Sequence, residues 1–193
     1  LKENSNLEVL LIEKGKSSLK RKCPNHNLQK CIQCDPCNIL SGIGGAGLYS
    51  DGKLNFIPRL GKTDLTQFMP LTSAQDLIDE TEKIFTNFKM DGAVFPTNME
   101  AAKQIRKEAK RFGIDLLLIK QKHLGSNNLP GYIAGMAAYL QSKGLKIQTQ
   151  ESVIDILEKD GRIQGVITDK AEYKAANVIL APGRIGANWM AQV

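Results

Sequence analysis

The chain has 193 residues, of which 42% are hydrophobic and 24% charged, and its formal net charge is +6. This is the composition of a globular protein with one core of ordinary size, not of a fibrous or disordered chain. No apolar run approaches the roughly 20 residues of a membrane span. The polar stretch Leu1 to Glu8 shows no secretion signal, so the expected setting is cytoplasmic.

Glu8-Val-Leu-Leu-Ile-Glu13 is a short apolar run ending in an acid, as in a strand buried on both faces of a parallel sheet. Lys14 and Gly15 stop it. Residues 16–40 carry all four cysteines and little periodicity, and read as an irregular excursion. Gly42-Ile-Gly-Gly-Ala-Gly47 is a glycine-rich loop, and Ser50-Asp-Gly-Lys-Leu54 turns into an extended piece. A helix is expected over Ser73–Phe88, capped by Thr72 or Ser73, with Leu77, Ile78, Ile84 and Phe85 on one side. Phe95-Pro96-Thr97-Asn98 breaks the chain, and Asn98 can cap a helix over Glu100–Phe112. Ile114–Gln121 reads as a strand. Gly131–Lys143 reads as a third helix, closed by Gly144. Strands then crowd together at Leu145–Gln148, Ser152–Lys159, Gly165–Thr168 and Asn177–Ala181, with Asp160-Gly161 as a hairpin turn. The pattern is α/β with an antiparallel β-meander.

Basic residues cluster at 14–22 and 103–111. The second cluster is the wet face of the helix over Glu100–Phe112, opposite Ala101, Ala102, Ile105, Ala109 and Phe112. An anion-binding surface is the competing reading.

Five features could carry chemistry. Glu13 ends its strand where a dinucleotide-binding fold places an acid to accept the ribose hydroxyls; a merely solvated acid is the plain alternative. The glycines at 42–47 permit close approach of backbone N–H groups to a phosphate or a flat ring, or else make a tight structural loop. Their order does not match a nucleotide-hydrolase phosphate loop. Cys31, Cys34 and Cys37 are spaced for two thiolates to reach one metal, and Cys23 could complete a tetrahedral set. Zinc or an iron–sulfur cluster would suit them; free or redox-active thiols are the alternative. His26 is a spare ligand candidate, although a lone loop His is more often simply solvated. His123 stands at a strand end beside a polar turn, facing a ligand or simply solvent. Val153 opens the meander, and Ala181-Pro-Gly183 follows a buried run, where small residues let the chain approach a cofactor.

Cys34-Asp-Pro-Cys-Asn-Ile-Leu-Ser-Gly-Ile-Gly-Gly-Ala-Gly-Leu-Tyr-Ser-Asp-Gly-Lys-Leu54, His123-Leu-Gly-Ser-Asn-Asn-Leu129 and Leu180-Ala-Pro-Gly-Arg184 together resemble the glutathione-reductase-type FAD-binding proteins. They are most similar to a bacterial group of FAD-dependent, or NAD/FAD-utilising, dehydrogenases. The resemblance implies a partial Rossmann-like FAD-binding domain over 1–60 and 130–193, with an inserted helix-and-strand segment over 61–129. Glu13, beside Lys14, would bind the adenosine ribose of FAD. Gly42, Gly44, Gly45, Ala46, Gly47, Ser50 and Asp51 would lie near the flavin or pyrophosphate. Val153 would meet the adenine through its backbone. Ala181, Pro182 and Gly183 stand where such proteins usually carry Ala-Thr-Gly, and Pro182 removes an N–H donor there.

The Gly-x-Gly-x-x-Gly turn that precedes such an acid by about 20 residues has no room before Glu13. Position 1 is Leu, and both ends fall close to strands. The expectation is therefore an internal piece of a longer flavoenzyme, holding FAD weakly or not at all by itself. The whole enzyme would transfer hydride through the flavin, with NAD(P)H a candidate donor and a small molecule as substrate. The competing class is a metal-knuckle module that binds nucleic acid through its basic surface. It is disfavoured by the 6% aromatic content, too sparse for base stacking.

Overall fold

A computed structural model describes residues 6–25 and 30–192. The chain divides into two compact units, Leu1–Tyr49 with Ile133–Val193, and Ser50–Tyr132.

The first unit opens with β1 (Leu10–Glu13). The second unit follows with β2 (Lys53–Asn55), the hairpin of β3 (Arg59–Leu60) and β4 (Thr63–Asp64), helix α1 (Leu71–Asn87), β5 (Val94–Phe95), helix α2 (Met99–Arg111) and β6 (Gln121–His123). Helix α3 (Leu129–Ser142) leads back to the first unit, which adds β7 (Lys146–Thr149), β8 (Val153–Lys159), β9 (Arg162–Thr168), β10 (Glu172–Lys174) and the short α4 (Ala187–Met190). The architecture is mixed α/β, with one small parallel sheet and several antiparallel ones.

In the first unit β1 and β7 pair in parallel, from Leu10 opposite Lys146 to Glu13 opposite Thr149. The pairing continues past the strands. Gln150 N–H donates to Gly15 O at 2.9 Å, and Glu151 N–H to Glu13 O at 3.2 Å. Glu151 is buried and accepts 2.7 Å from the Thr168 hydroxyl, which fastens the meander to the end of the parallel pair. The meander has the order β10-β9-β8. Its hairpin turns on Asp160 (φ 54°) and Gly161 (φ 71°), two left-handed residues, as a two-residue type I′ turn demands. Register shifts beside Ile154, and the Ile154 carbonyl accepts from the Trp189 indole at 3.0 Å.

In the second unit the sheet order is β2-β6-β5. Central Lys122 of β6 is buried and fixes the sheet to α1. Its Nζ lies 2.8 Å from Asp91, 3.1 Å from Glu82 and 3.3 Å from the Thr86 hydroxyl. Lys120 bonds the other oxygen of Glu82 at 2.5 Å, and Phe56 lies buried beneath both ammonium groups.

Several expected elements differ. Helix α1 begins at Leu71 behind Pro70, whose fixed φ suits a helix start, and no side chain caps it. Thr72 and Ser73 already lie inside the first turn. Asn98 does cap α2, accepting from Ala101 N–H at 3.0 Å. The strand expected over Ile114–Gln121 forms only at its end, Gln121–His123, where β2 and β5 supply edges. The strand expected over Asn177–Ala181 does not form. Among the described residues no strand edge pairs with it, and Ile179 is 92% exposed. No helix among the described residues is long and apolar enough to cross a membrane.

Candidate functional site at the carboxyl ends of the parallel strands

Ligands of open parallel α/β sheets bind outside the carboxyl ends of the strands. Here that edge is formed by Glu13 and Thr149. Glu13 Oε1 accepts two backbone N–H groups, Gly15 at 2.7 Å and Gly42 at 2.9 Å. One carboxylate oxygen thus joins the strand end to a glycine loop 29 residues away in sequence. Oε2 has no hydrogen-bond partner among the described residues.

The two backbones touch because neither carries a side chain at the crossing. A Cβ on Gly15 would lie 2.4 Å from Gly42 N. A Cβ on Gly42 would lie 2.5 Å from both the Lys16 carbonyl and Arg21 Cδ, and Gly42 also sits at φ 110°. Both positions require glycine.

The loop is held from within by Arg21, which is 4% exposed. Nε donates to Asn38 O at 2.9 Å and Nη2 to Ile39 O at 2.7 Å. Nη1 donates to Gly42 O at 3.3 Å, Ile43 O at 3.0 Å and Gly45 O at 2.8 Å. The Tyr49 ring lies 5.3 Å from the guanidinium carbon, and its hydroxyl donates to Arg21 O at 2.7 Å. Burial pushes the Arg21 pKa down, while the nearby Tyr49, Glu13 and Cys37 act to raise it. Residues 44–47 are exposed on the outer side of the loop, and a Cβ on Gly45 or Gly47 would meet open space. The buried Ser41 hydroxyl beside this loop has no hydrogen-bond partner among the described residues.

A dinucleotide asks for an acceptor toward ribose hydroxyls and donors toward phosphate oxygens. The Glu13 carboxylate and the exposed glycine-loop backbone are of those kinds, so the residues present fit such a group.

The other expected site residues are placed as follows. Lys14 pairs with Asp35 at 3.1 Å, which tethers the cysteine segment to the strand end. Val153 begins β8, two residues beyond Glu151, whose amide bonds Glu13. Ala181, Pro182 and Gly183 are exposed; no hydrogen bond ties them to Glu13 or the glycine loop among the described residues. A Cβ at Gly186 would strike Pro182, so the turn there is closed on itself. Ser50 and Asp51 belong to the second unit. There Ser50 Oγ accepts from Gly52 N–H at 3.3 Å, Asp51 pairs with Lys53 at 2.8 Å, and His123 Nε2 lies 3.0 Å from Asp51 O.

All four cysteines are free thiols. Cys31 is exposed, and Cys23, Cys34 and Cys37 are half-buried. No three His, Cys, Asp or Glu side chains converge as metal ligands among the described residues, and His26 lies outside them. The cysteine backbone is nonetheless part of the site. Cys37 O accepts from Leu40 and Ser41 N–H at 3.1 and 2.8 Å, making the turn that delivers the chain to Arg21.

A second concavity, of about 360 Å³, lies within the second unit among Leu54, Phe56, Ile57, Leu60, Ile78 and Phe85. Two polar residues on its wall are already engaged, Lys53 with Asp51 and Asn55 with Gln121.

Sequence reasoning missed Arg21. It sits in a basic run that looks like a solvated surface, and its five partners lie 17 to 24 residues downstream.

No family model matches the chain, and no curated protein matches it. Among solved structures it is similar to an L-amino acid deaminase from Proteus vulgaris, with a TM-score of 0.46 and 15% identity over 91% of this chain. The chain spans 41% of that protein's length.

Proposed function

We propose that this chain contributes the ribose-binding side of an FAD site in a flavin-dependent oxidoreductase. The observation that carries the reading is the double use of Glu13. One oxygen binds Gly15 and Gly42 N–H and so fixes the carboxylate beside the glycine loop, which leaves Oε2 for a ribose hydroxyl. The position at the carboxyl end of a parallel strand pair supports it. The resemblance carried by residues 34–54, 123–129 and 180–184 supports it independently.

When bound, the flavin would supply hydride transfer, and the protein would supply binding and orientation. Gly44, Gly45, Ala46 and Gly47 would lie near the pyrophosphate or flavin, Val153 would meet the adenine through its backbone, and Ala181 to Gly183 would pack by the cofactor. NAD(P)H is the proposed electron donor and a small molecule the substrate.

The test is an absorbance spectrum combined with metal analysis, on the protein expressed from its whole reading frame and purified without added cofactor. Flavin bands at near one equivalent, lost in E13A, support the reading. A flavin-free protein that carries bound RNA overturns it in favour of the nucleic-acid module. Zinc or iron near one per chain would assign the cysteines separately.

A further inference from the structure

The five carbonyls bound by Arg21 have a consequence for the opposite side of the loop. In a trans peptide the C=O of one residue and the N–H of the next point in opposite directions. The Ile43 carbonyl turns inward to the guanidinium at 3.0 Å, so Gly44 N–H points outward. The Gly45 carbonyl turns inward at 2.8 Å, so Ala46 N–H points outward too. Gly42 O is also held, but the N–H that follows it, on Ile43, is used by Lys16 O at 3.0 Å. Gly44 and Ala46 are exposed, and neither amide has an acceptor among the described residues.

We propose that Arg21 is a positioning residue that aims the Gly44 and Ala46 amides at the phosphate oxygens of a bound dinucleotide. It touches no ligand and acts through the peptide planes it grips. This rests on the dinucleotide reading of the site. Only arginine supplies the fork: its coplanar Nε, Nη1 and Nη2 together reach five carbonyls, the two Nη1 hydrogens being shared among Gly42 O, Ile43 O and Gly45 O, whereas a lysine ammonium offers three donors from a single point. The guanidinium charge, carried beneath the loop by aligned peptide dipoles, adds to the attraction for an anion. Glu13 secures the same loop through Gly42 N–H, so an acid and a base both hold it at Gly42, one by its N–H and the other by its carbonyl.

The experiment compares wild type, R21K and R21A of the protein expressed from its whole reading frame. Amide hydrogen exchange is read at Ser41, Ile43 and Gly45, which donate to Cys37, Lys16 and Gly42 carbonyls, and at β8–β9 as an internal reference. FAD affinity is read from quenching of flavin fluorescence. In R21K, protection of the three loop amides falls by about tenfold or more, β8–β9 are unchanged, and FAD affinity drops by about tenfold, the scale of one good ligand hydrogen bond. Millimolar guanidinium restores FAD affinity to R21A but not to R21K, whose ammonium fills the space. If R21A does not fold, R21K decides. FAD affinity within about twofold of wild type in R21K overturns the proposal, as does loss of protection in β8–β9 to the same degree as in the loop. A wild-type protein that binds no flavin while its loop stays protected sinks the dinucleotide reading instead, and the exchange data alone then judge Arg21's grip.

Discussion

Glu13 accepts two backbone N–H bonds with one charged oxygen, and each such bond contributes about 1.5–3 kcal/mol when the acceptor is ionised. E13A leaves both amides without their acceptor and is expected to destabilise the protein by about 2–4 kcal/mol in urea unfolding. E13Q keeps an acceptor oxygen and loses the charge, so its cost should be about 1 kcal/mol. If E13Q costs as much as E13A, the carboxylate is acting through its charge and not as a bridge. Glu13 and the glycines were legible in the sequence because an acid closing an apolar strand and a dense glycine run are local patterns. Their connection was not legible, since nothing local says that Gly42 N–H returns to Glu13. Arg21 was hidden for the same reason, in a run of basic residues whose neighbours are wet.

Three helices end with the same pattern of hydrogen bonds, and two of them end on glycine. After α2, Gly113 (φ 73°) and Ile114 donate back to Lys110 O and Ala109 O; after α3, Gly144 (φ 93°) and Leu145 donate to Gln141 O and Leu140 O. After α1 the left-handed position is Lys89 (φ 63°), with Lys89 and Met90 donating to Thr86 O and Phe85 O. A side chain at such a position costs about 1 kcal/mol. K89G should therefore stabilise the protein by about 0.5–1 kcal/mol in thermal or urea unfolding, and an unchanged midpoint would show that the lysine side chain compensates. The meander has the opposite sensitivity. A Cβ on Gly165 (φ 150°) would lie 1.9 Å from the Tyr173 carbonyl, so G165A must push β10 off β9. The expected cost is about 2–4 kcal/mol, with exchange protection lost first at β10. Elements with their own stop signals were readable in the sequence; Asn98, Gly144 and Asp160-Gly161 all work as their residue types suggest. Apolar runs were less readable. Residues 114–120 and 177–181 have strand composition, but a strand exists only where an edge is offered, and sequence does not show edges.

At the level of the whole chain, charge is balanced locally around Lys122. Its hydrogen bond to Asp91 is the largest influence on its pKa, followed by burial acting against it and then by Glu82; the net direction is up. Asp91 is held below the usual carboxylate range, first by its bond to Lys122. Burial pushes Glu82 up, but the bonds and charges of Lys120 and Lys122 outweigh it and hold it down. Depressed carboxyls stabilise the folded state above their unfolded pKa, and this is lost as the pH falls through their lower folded values. The raised amine stabilises below its unfolded pKa, and this is lost as the pH rises through its higher folded value. Unfolding free energy should therefore decline at both the acid and the strongly alkaline ends. K122M should cost about 1–3 kcal/mol at neutral pH and flatten both limbs of a urea-derived pH–stability curve. A curve of unchanged shape in K122M would remove the network from the account.

Lys122 also has a chemical consequence. Amine-directed acylating reagents need an uncharged nitrogen that they can reach. The Lys122 side chain is 7% exposed and held as the ammonium by its two carboxylates, whereas the Lys120 side chain, two residues earlier, is 40% exposed. Under brief treatment with an N-hydroxysuccinimide ester, the peptide that contains both should carry its label on Lys120. Label on Lys122 would then report, residue by residue, the moment at which this sheet comes away from its helix.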